Sequence, residues 1–312
     1  MKRHLCIALI GPTASGKTTF ALQLASRFPA EILCMDSTTV YRGFDIGTSK
    51  PTAPERAQAP HHLLDILDPN EPFSAFHFVQ YADDLLTQIA ERGKIPVVVG
   101  GTYFYMRALQ NGIYPTSVIS AEVIEGIERE FFDDESWNTP AMHAELKEKD
   151  PNAAKAIHPN DKYRLIRALS ILRGTQDKPS ELKAEPISEA QPSRLWIKYA
   201  IATPRHQLNQ SIVRRTEKML QGGLVKETAE LTEKFPNARA LGSIGYSEVS
   251  QFLKKQLTEK QLRNEIIEKT RQLAKRQTTW LRSDSEVRYV DFRDLDRIQK
   301  EIENLRFTLG EI

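Results

Sequence analysis

Hydrophobic positions fall into two regimes along this chain. From residue 1 to about residue 111, short apolar runs alternate with segments whose apolar residues recur at helical spacing. The run Leu5 to Ile10 predicts a buried strand, and "TTFALQLASRF" directly after it predicts a helix. "AEILCMDS" and "GKIPVVVGGTYFY" predict two further strands, the second ending at Gly100, Gly101 and Thr102. Strands alternating with helices predict a parallel sheet covered on both faces, an α/β fold. From about 112 to 192 strand signals almost disappear. "SAEVIEGIEREFF", "AMHAELKEKD" and "PNDKYRLIRALSIL" are helical, and "KAEPISEAQPSR" has a linker's composition. A strand, "LWIKYAIA", then leads into the helices "LNQSIVRRTEKMLQGGL" and "EKQLRNEIIEKTRQLAKRQTTWLR". The predicted organisation is a core in two parts, 1–112 and 193–312, around a helical insertion at 113–192.

The junction between the first strand and the first helix holds the most specific motif. Gly11, Gly16, Lys17 and Thr18 satisfy G-x-x-x-x-G-K-[ST] between a strand and a helix. The whole loop, Gly11, Pro12, Thr13, Ala14, Ser15, Gly16, Lys17 and Thr18, predicts a phosphate cradle. Backbone N–H groups converge on phosphate oxygens, the helix N-terminus adds partial positive charge, Lys17 reaches the terminal phosphate, and the Thr18 hydroxyl is placed for Mg²⁺. Asp36 closes the second strand at its carboxyl end, where α/β sheets bind ligands. At the equivalent end of "VVVGG", where many NTPases place the acid that positions metal and water, this chain has Gly101 and Thr102.

The 312 residues carry a formal charge of +2, so any polyanion site must be local. Two helices supply local positive charge. In "NDKYRLIRALSIL", Asn160 or Asp161 caps, Leu165, Ala168, Leu169 and Leu172 form the apolar stripe, and Arg164 and Arg167 sit beside it. In "KTRQLAKRQTTWLR", Arg271, Lys275, Thr278 and Arg282 share one face. Cys6 and Cys34 have neither metal-site nor disulfide spacing. The short N-terminal apolar run reads as a strand rather than a signal peptide, and no stretch approaches the roughly 20 apolar residues of a membrane span. A cytoplasmic protein is expected. His61 and His62 read as scaffold. To this point the residues leave three readings open: a transferase acting on a diphosphate, a P-loop kinase for a nucleoside or small metabolite, and a nucleotide-responsive RNA-binding module.

Seven strings in order resemble the tRNA dimethylallyltransferases: "GPTASGKT" at 11–18, "DSTTVYRGFDIGTSKP" at 36–51, "PHHLLDILDP" at 60–69, "VVGGTYFY" at 98–105, "PNDKYRLIRAL" at 159–169, "IGYSEV" at 244–249 and "TRQLAKRQTTWLR" at 270–282. The resemblance implies a P-loop NTPase-like core whose loop holds the diphosphate of dimethylallyl diphosphate. The acceptor it implies is N6 of the adenosine just 3′ of the anticodon. Asp36 aligns with the general base, and Thr13 and Arg215 align with residues that hold the diphosphate. Asp36, Ser37, Thr38, Thr39, Thr102, Tyr163, Arg164 and Arg167 align with tRNA contacts. It further implies Mg²⁺ as cofactor, an insertion that binds the anticodon stem-loop, and a monomer without a membrane partner.

Overall fold

The apolar runs that open the chain become the middle of a parallel sheet. This computed structural model describes residues 3–113, 119–133, 136–183 and 193–311. In chain order, β1 (His4–Ile10), α1 (Lys17–Ala25), β2 (Ala30–Met35), α2 (Ala53–Arg56), β3 (His61–His62), α3 (Ala75–Glu91), β4 (Ile95–Gly100) and α4 (Tyr103–Asn111) come first. Next come α5 (Ala121–Phe131), β5 (Phe132–Asp133), β6 (Ser136–Trp137), α6 (Thr139–Lys149), α7 (Pro151–Ala156) and α8 (Lys162–Thr175). The remainder is β7 (Arg194–Ile201), α9 (Arg205–Gln221), α10 (Leu224–Lys234), α11 (Tyr246–Leu253), α12 (Glu259–Arg282), β8 (Val287–Val290) and α13 (Leu295–Leu309).

Six strands pair in parallel in the order β3-β2-β4-β1-β7-β8. β2 is buried along its whole length and β1 along all but His4, the pattern of strands covered on both faces. Leu5, Ile7, Leu9, Phe20, Ile32 and Val97 share one core with Ile298 and Ile302 of α13. From β1 the chain crosses to β2 on one side, and from β4 it eventually returns to β7 on the other. The neighbours β1 and β4 therefore form a topological switch point, and the crevice outside their carboxyl ends is the expected ligand position. Gly100 closes β4 where a Cβ would fall onto the Met35 carbonyl, so only glycine lets the ends of β2 and β4 come this close.

The chain divides into two compact units, with boundaries at 110/111 and 186/187. The helical unit has its own core of Ile127, Phe131, Met142, Leu146, Leu165 and Leu169. Within it Asp161 caps α8 by accepting from the Arg164 N–H, and Arg173 ties Glu130 to Glu145. Where the hydrophobic pattern predicts only helices, the two-residue strands β5 and β6 form an antiparallel ladder. Most of the stretch read as a linker, 184–192, lies outside the described residues. The helix predicted from Leu208 toward Leu224 stops at Gln221, because Gly222 and Gly223, the latter with φ of 101°, turn the chain into α10. Among the described residues, no helix is long and apolar enough to cross a membrane.

At the opposite end of the sheet from the switch point, the buried Glu31 carboxylate accepts from His62 Nε2 at 2.6 Å, Arg92 at 2.7 Å and Lys94 at 2.8 Å. His62 thus serves as scaffold, joining β3 to β2. Burial alone would raise the Glu31 acid, and the surrounding cations, Lys94 and Arg92 foremost, more than offset this and hold it at about 2. Because the folded value lies below the unfolded one, this stabilisation is complete above about pH 4.5 and is lost as pH falls toward 2. Glu31→Gln is expected to cost about 3 kcal/mol at neutral pH and progressively less below pH 4.5. Urea midpoints of both proteins across that range measure it.

Candidate active site

β1 delivers the chain to the switch point, and the phosphate loop begins there. Gly11 N–H donates to the Gly100 carbonyl at 3.3 Å, and Ser15 N–H to the Pro12 carbonyl at 3.3 Å, which turns the loop over the end of β4. Gly16, with φ of 89°, occupies the helix N-cap in the left-handed region, so α1 starts at Lys17 with no side-chain cap and no acid in its first turn. Its first N–H groups and its dipole are left to an anion. The Lys17 ammonium folds back over the loop, donating to the carbonyls of Gly11 at 2.9 Å and Pro12 at 2.7 Å.

Asp36 follows β2 at the same end of the sheet. Its Oδ1 accepts from the Thr38 N–H at 2.8 Å, the Thr38 hydroxyl at 2.6 Å and the Thr39 N–H at 3.3 Å. These donors fix the carboxylate plane and leave Oδ2 without a donor among the described residues. Arg215 arrives from α9, its guanidinium donating to the Thr48 carbonyl at 3.2 Å. The three charges act on one another. Burial pulls the Lys17 ammonium down to about 7, the Arg215 charge pushes the same way, and Asp36 opposes both. Burial also disfavours the Arg215 cation, with Asp36 again opposing. Two cations against one carboxylate leave a surplus positive charge with which a multiply charged anion is complementary.

Gln277, on α12, holds the assembly together. Its Oε1 accepts from the Thr13 N–H at 2.9 Å and its Nε2 donates to the Gly101 carbonyl at 3.0 Å. A Cβ on Gly101 would fall onto that amide. Sequence reasoning missed Gln277, although it lies within "KRQTTWLR". The pointer was the Gly100-Gly101 pair, which marks a close approach by another element without naming it.

Of the other predicted residues, Ser37 is exposed, and Thr13, Ala14, Thr18, Thr38 and Thr102 are half-buried near the loop or the strand ends. Ser15 and Thr39 are buried, and neither hydroxyl has a partner among the described residues. Tyr163, Arg164 and Arg167 are exposed on α8 in the helical unit, with Tyr163 at 75% exposure and Arg164 beside Asp161 at 3.4 Å. The basic face of α12 does not simply project into solvent. Arg271, Lys275, Thr278 and Arg282 line a cleft of about 720 Å³ with Arg205 and Asn209 of α9.

A family model described as IPP transferase matches residues 39–284. The chain belongs to the IPP transferase family. A tRNA dimethylallyltransferase of Paraburkholderia phytofirmans is 41% identical over 289 residues, covering 91% of each chain. The crystal structure of the full-length tRNA isopentenylpyrophosphate transferase of Bacillus halodurans superimposes with a TM-score of 0.70 at 34% identity, covering 99% of both chains. A eukaryotic dimethylallyltransferase acting on tRNA gives a TM-score of 0.78 at 25% identity, over 98% of this chain and 80% of the other. IPP transferase membership removes the footing of the kinase and RNA-module readings.

The half-buried Lys17 ammonium yields a pH signature. A bound diphosphate favours charged Lys17, so affinity for an alkyl diphosphate is expected to be level below about pH 7 and to fall by up to about tenfold per pH unit above it. Lys17→Arg is expected to abolish the fall, since a guanidinium stays charged. Ligand titrations of both proteins from about pH 6.5 to 9 measure this, and parallel pH profiles would remove Lys17 as the cause.

Proposed function

We propose that this chain transfers the dimethylallyl group of dimethylallyl diphosphate to N6 of the adenosine immediately 3′ of the anticodon, position 37 of tRNA, releasing diphosphate. The observation that carries the reading is the meeting of Asp36 with Lys17 and Arg215 beside an uncapped helix N-terminus. One end of this site suits a leaving diphosphate, and the other offers a base.

The adenine amine attacks the allylic carbon, a carbon–nitrogen bond forms, and the carbon–oxygen pair leaves with the diphosphate. Loop N–H groups, the Thr13 hydroxyl, Lys17 and Arg215 stabilise the charge that builds on the leaving oxygens. Asp36 accepts the N6 proton through Oδ2, its other oxygen being held by Thr38 and Thr39. No phosphoryl group moves, so Gly101 and Thr102 at the end of β4 suffice where a water-activating enzyme needs an acid. Among the described residues no group of three or more His, Cys, Asp or Glu forms a metal cage. Mg²⁺ typically keeps waters and substrate phosphates and takes only one or two protein oxygens, so the half-buried Thr18 hydroxyl, in the same loop as a buried Ser15 hydroxyl that has no partner among the described residues, would fit Mg²⁺ that arrives on the diphosphate. Such an ion would neutralise leaving-group charge.

For tRNA, Tyr163, Arg164 and Arg167 of α8 are exposed to meet phosphates and an unstacked base, and the cations of the α12 cleft offer further phosphate contacts. Ser37, Thr38 and Thr102 lie where the flipped adenine must approach Asp36. Thr39 supports the Asp36 turn through its N–H, while its side chain is buried. We take the chain to act as a cytoplasmic monomer.

Label from dimethylallyl diphosphate should enter unmodified tRNA with Mg²⁺ and no nucleotide, and should not enter a tRNA with the target adenine replaced. Label in neither RNA would end this reading. In the same assay Asp36→Ala should lower turnover by at least about 100-fold while tRNA binding stays within about tenfold. Replacing Arg164 and Arg167 together should weaken tRNA binding and reduce its salt slope by up to about two phosphate contacts. Filter binding against salt concentration reads that slope, and an unchanged slope would make these arginines structural.

A further inference from the structure

The Arg215 guanidinium has one hydrogen-bond partner among the described residues, the Thr48 carbonyl, so whatever fixes Thr48 fixes the guanidinium. Thr48 belongs to a tight turn. Its hydroxyl donates to the Phe44 carbonyl at 2.6 Å, Ser49 N–H to the Ile46 carbonyl at 3.0 Å, and Lys50 N–H to the Asp45 carbonyl at 3.1 Å. That arrangement points the N–H groups of Asp45, Ile46 and Gly47 the same way, and all three donate to one carboxylate, Glu227 of α10, over 2.8 to 3.3 Å. A fourth donor reaches the same group, the hydroxyl of fully buried Tyr246 at 2.6 Å from Glu227 Oε1. The Tyr246 ring occupies the space where a Cβ on Gly47 would project and packs edge-on against Phe44, with centroids 4.9 Å apart. Among the described residues four donors and no acceptor face Glu227. A carboxylate satisfies all four, whereas a carboxamide of the same shape would turn an NH₂ group toward donors.

We propose that Glu227 and Tyr246 are positioning residues for the diphosphate donor: they lock the turn at 45–48 so that the Thr48 carbonyl aims the Arg215 guanidinium into the site. The inference rests on the reading of Arg215 as a diphosphate ligand. Neither residue touches the substrate. Their contribution is to orient in advance a long side chain that would otherwise lose rotamer freedom when the donor binds.

The test is a double-mutant cycle read in kcat/KM for dimethylallyl diphosphate at saturating tRNA. Glu227→Gln should lower kcat/KM for the donor about tenfold and Tyr246→Phe about threefold, with KM for tRNA within about twofold of the parent. On an Arg215→Ala background either substitution should change the donor value by less than about twofold, because the group being aimed is gone. Equal losses on both backgrounds, a tRNA KM that moves in step, or no loss from either single substitution would overturn the proposal. Should Glu227→Gln fail to fold, Tyr246→Phe runs the same cycle, since it keeps the ring beside Gly47 and removes only the hydroxyl. If Arg215→Ala alone leaves the donor value unchanged, the diphosphate reading of Arg215 fails and the latch falls with it.

Discussion

Lys17 and Arg215 repel each other, and holding both half-buried at one end of the sheet is the constraint around which the active end of this protein is organised. Two like charges out of water are unfavourable unless an anion joins them. Asp36 supplies part of the compensation. The loop carbonyls of Gly11 and Pro12 supply more to Lys17, and the Thr48 carbonyl does so for Arg215. What remains is the surplus that a diphosphate answers. The sheet makes the arrangement possible, because β1, β4 and β2 are adjacent and deliver the phosphate loop, the Gly100-Gly101 end and Asp36 to one edge.

The two ends of the sheet show how the same chemistry is put to different uses. At one end Glu31 is surrounded by His62, Arg92 and Lys94 and is fully satisfied, which pins β3 and the turn before β4 to β2. At the other end one oxygen of Asp36 is satisfied and the other has no donor among the described residues. A saturated carboxylate stabilises a scaffold, while a half-saturated one can take a proton during a reaction.

Much of this was legible in the sequence because it is local. The phosphate loop is a contiguous motif, Asp36 is marked by its place at a strand end, and α12 was bounded correctly since its apolar period runs unbroken from Glu259 to Arg282. What escaped is nonlocal or weakly patterned. Gln277 has meaning only beside Thr13 and Gly101, and Glu227 only beside residues 45–47 and Tyr246. β3 is too short to show alternation, and α10 and α13 are amphipathic helices that carry no motif of their own. Burial of the Thr39 side chain was likewise invisible, because it depends on how the segment after Asp36 folds over the core.

The strand that feeds the phosphate loop pairs along its full length with β7, from His4 with Arg194 to Ile10 with Ala200, across the entire helical unit. A ribosome releases the chain in order, at about 5 to 20 residues per second. β1 can therefore gain β4 early, yet its other edge stays open while residues 101 to 193 are made. Through those seconds a strand that is buried along all but its first residue in the finished fold presents an unpaired row of backbone donors and acceptors, the kind of edge on which nascent chains aggregate. The inserted helices assemble their own core from neighbouring residues and bring Ile119 against Gly174, which shortens the effective loop and so the search that closes that edge.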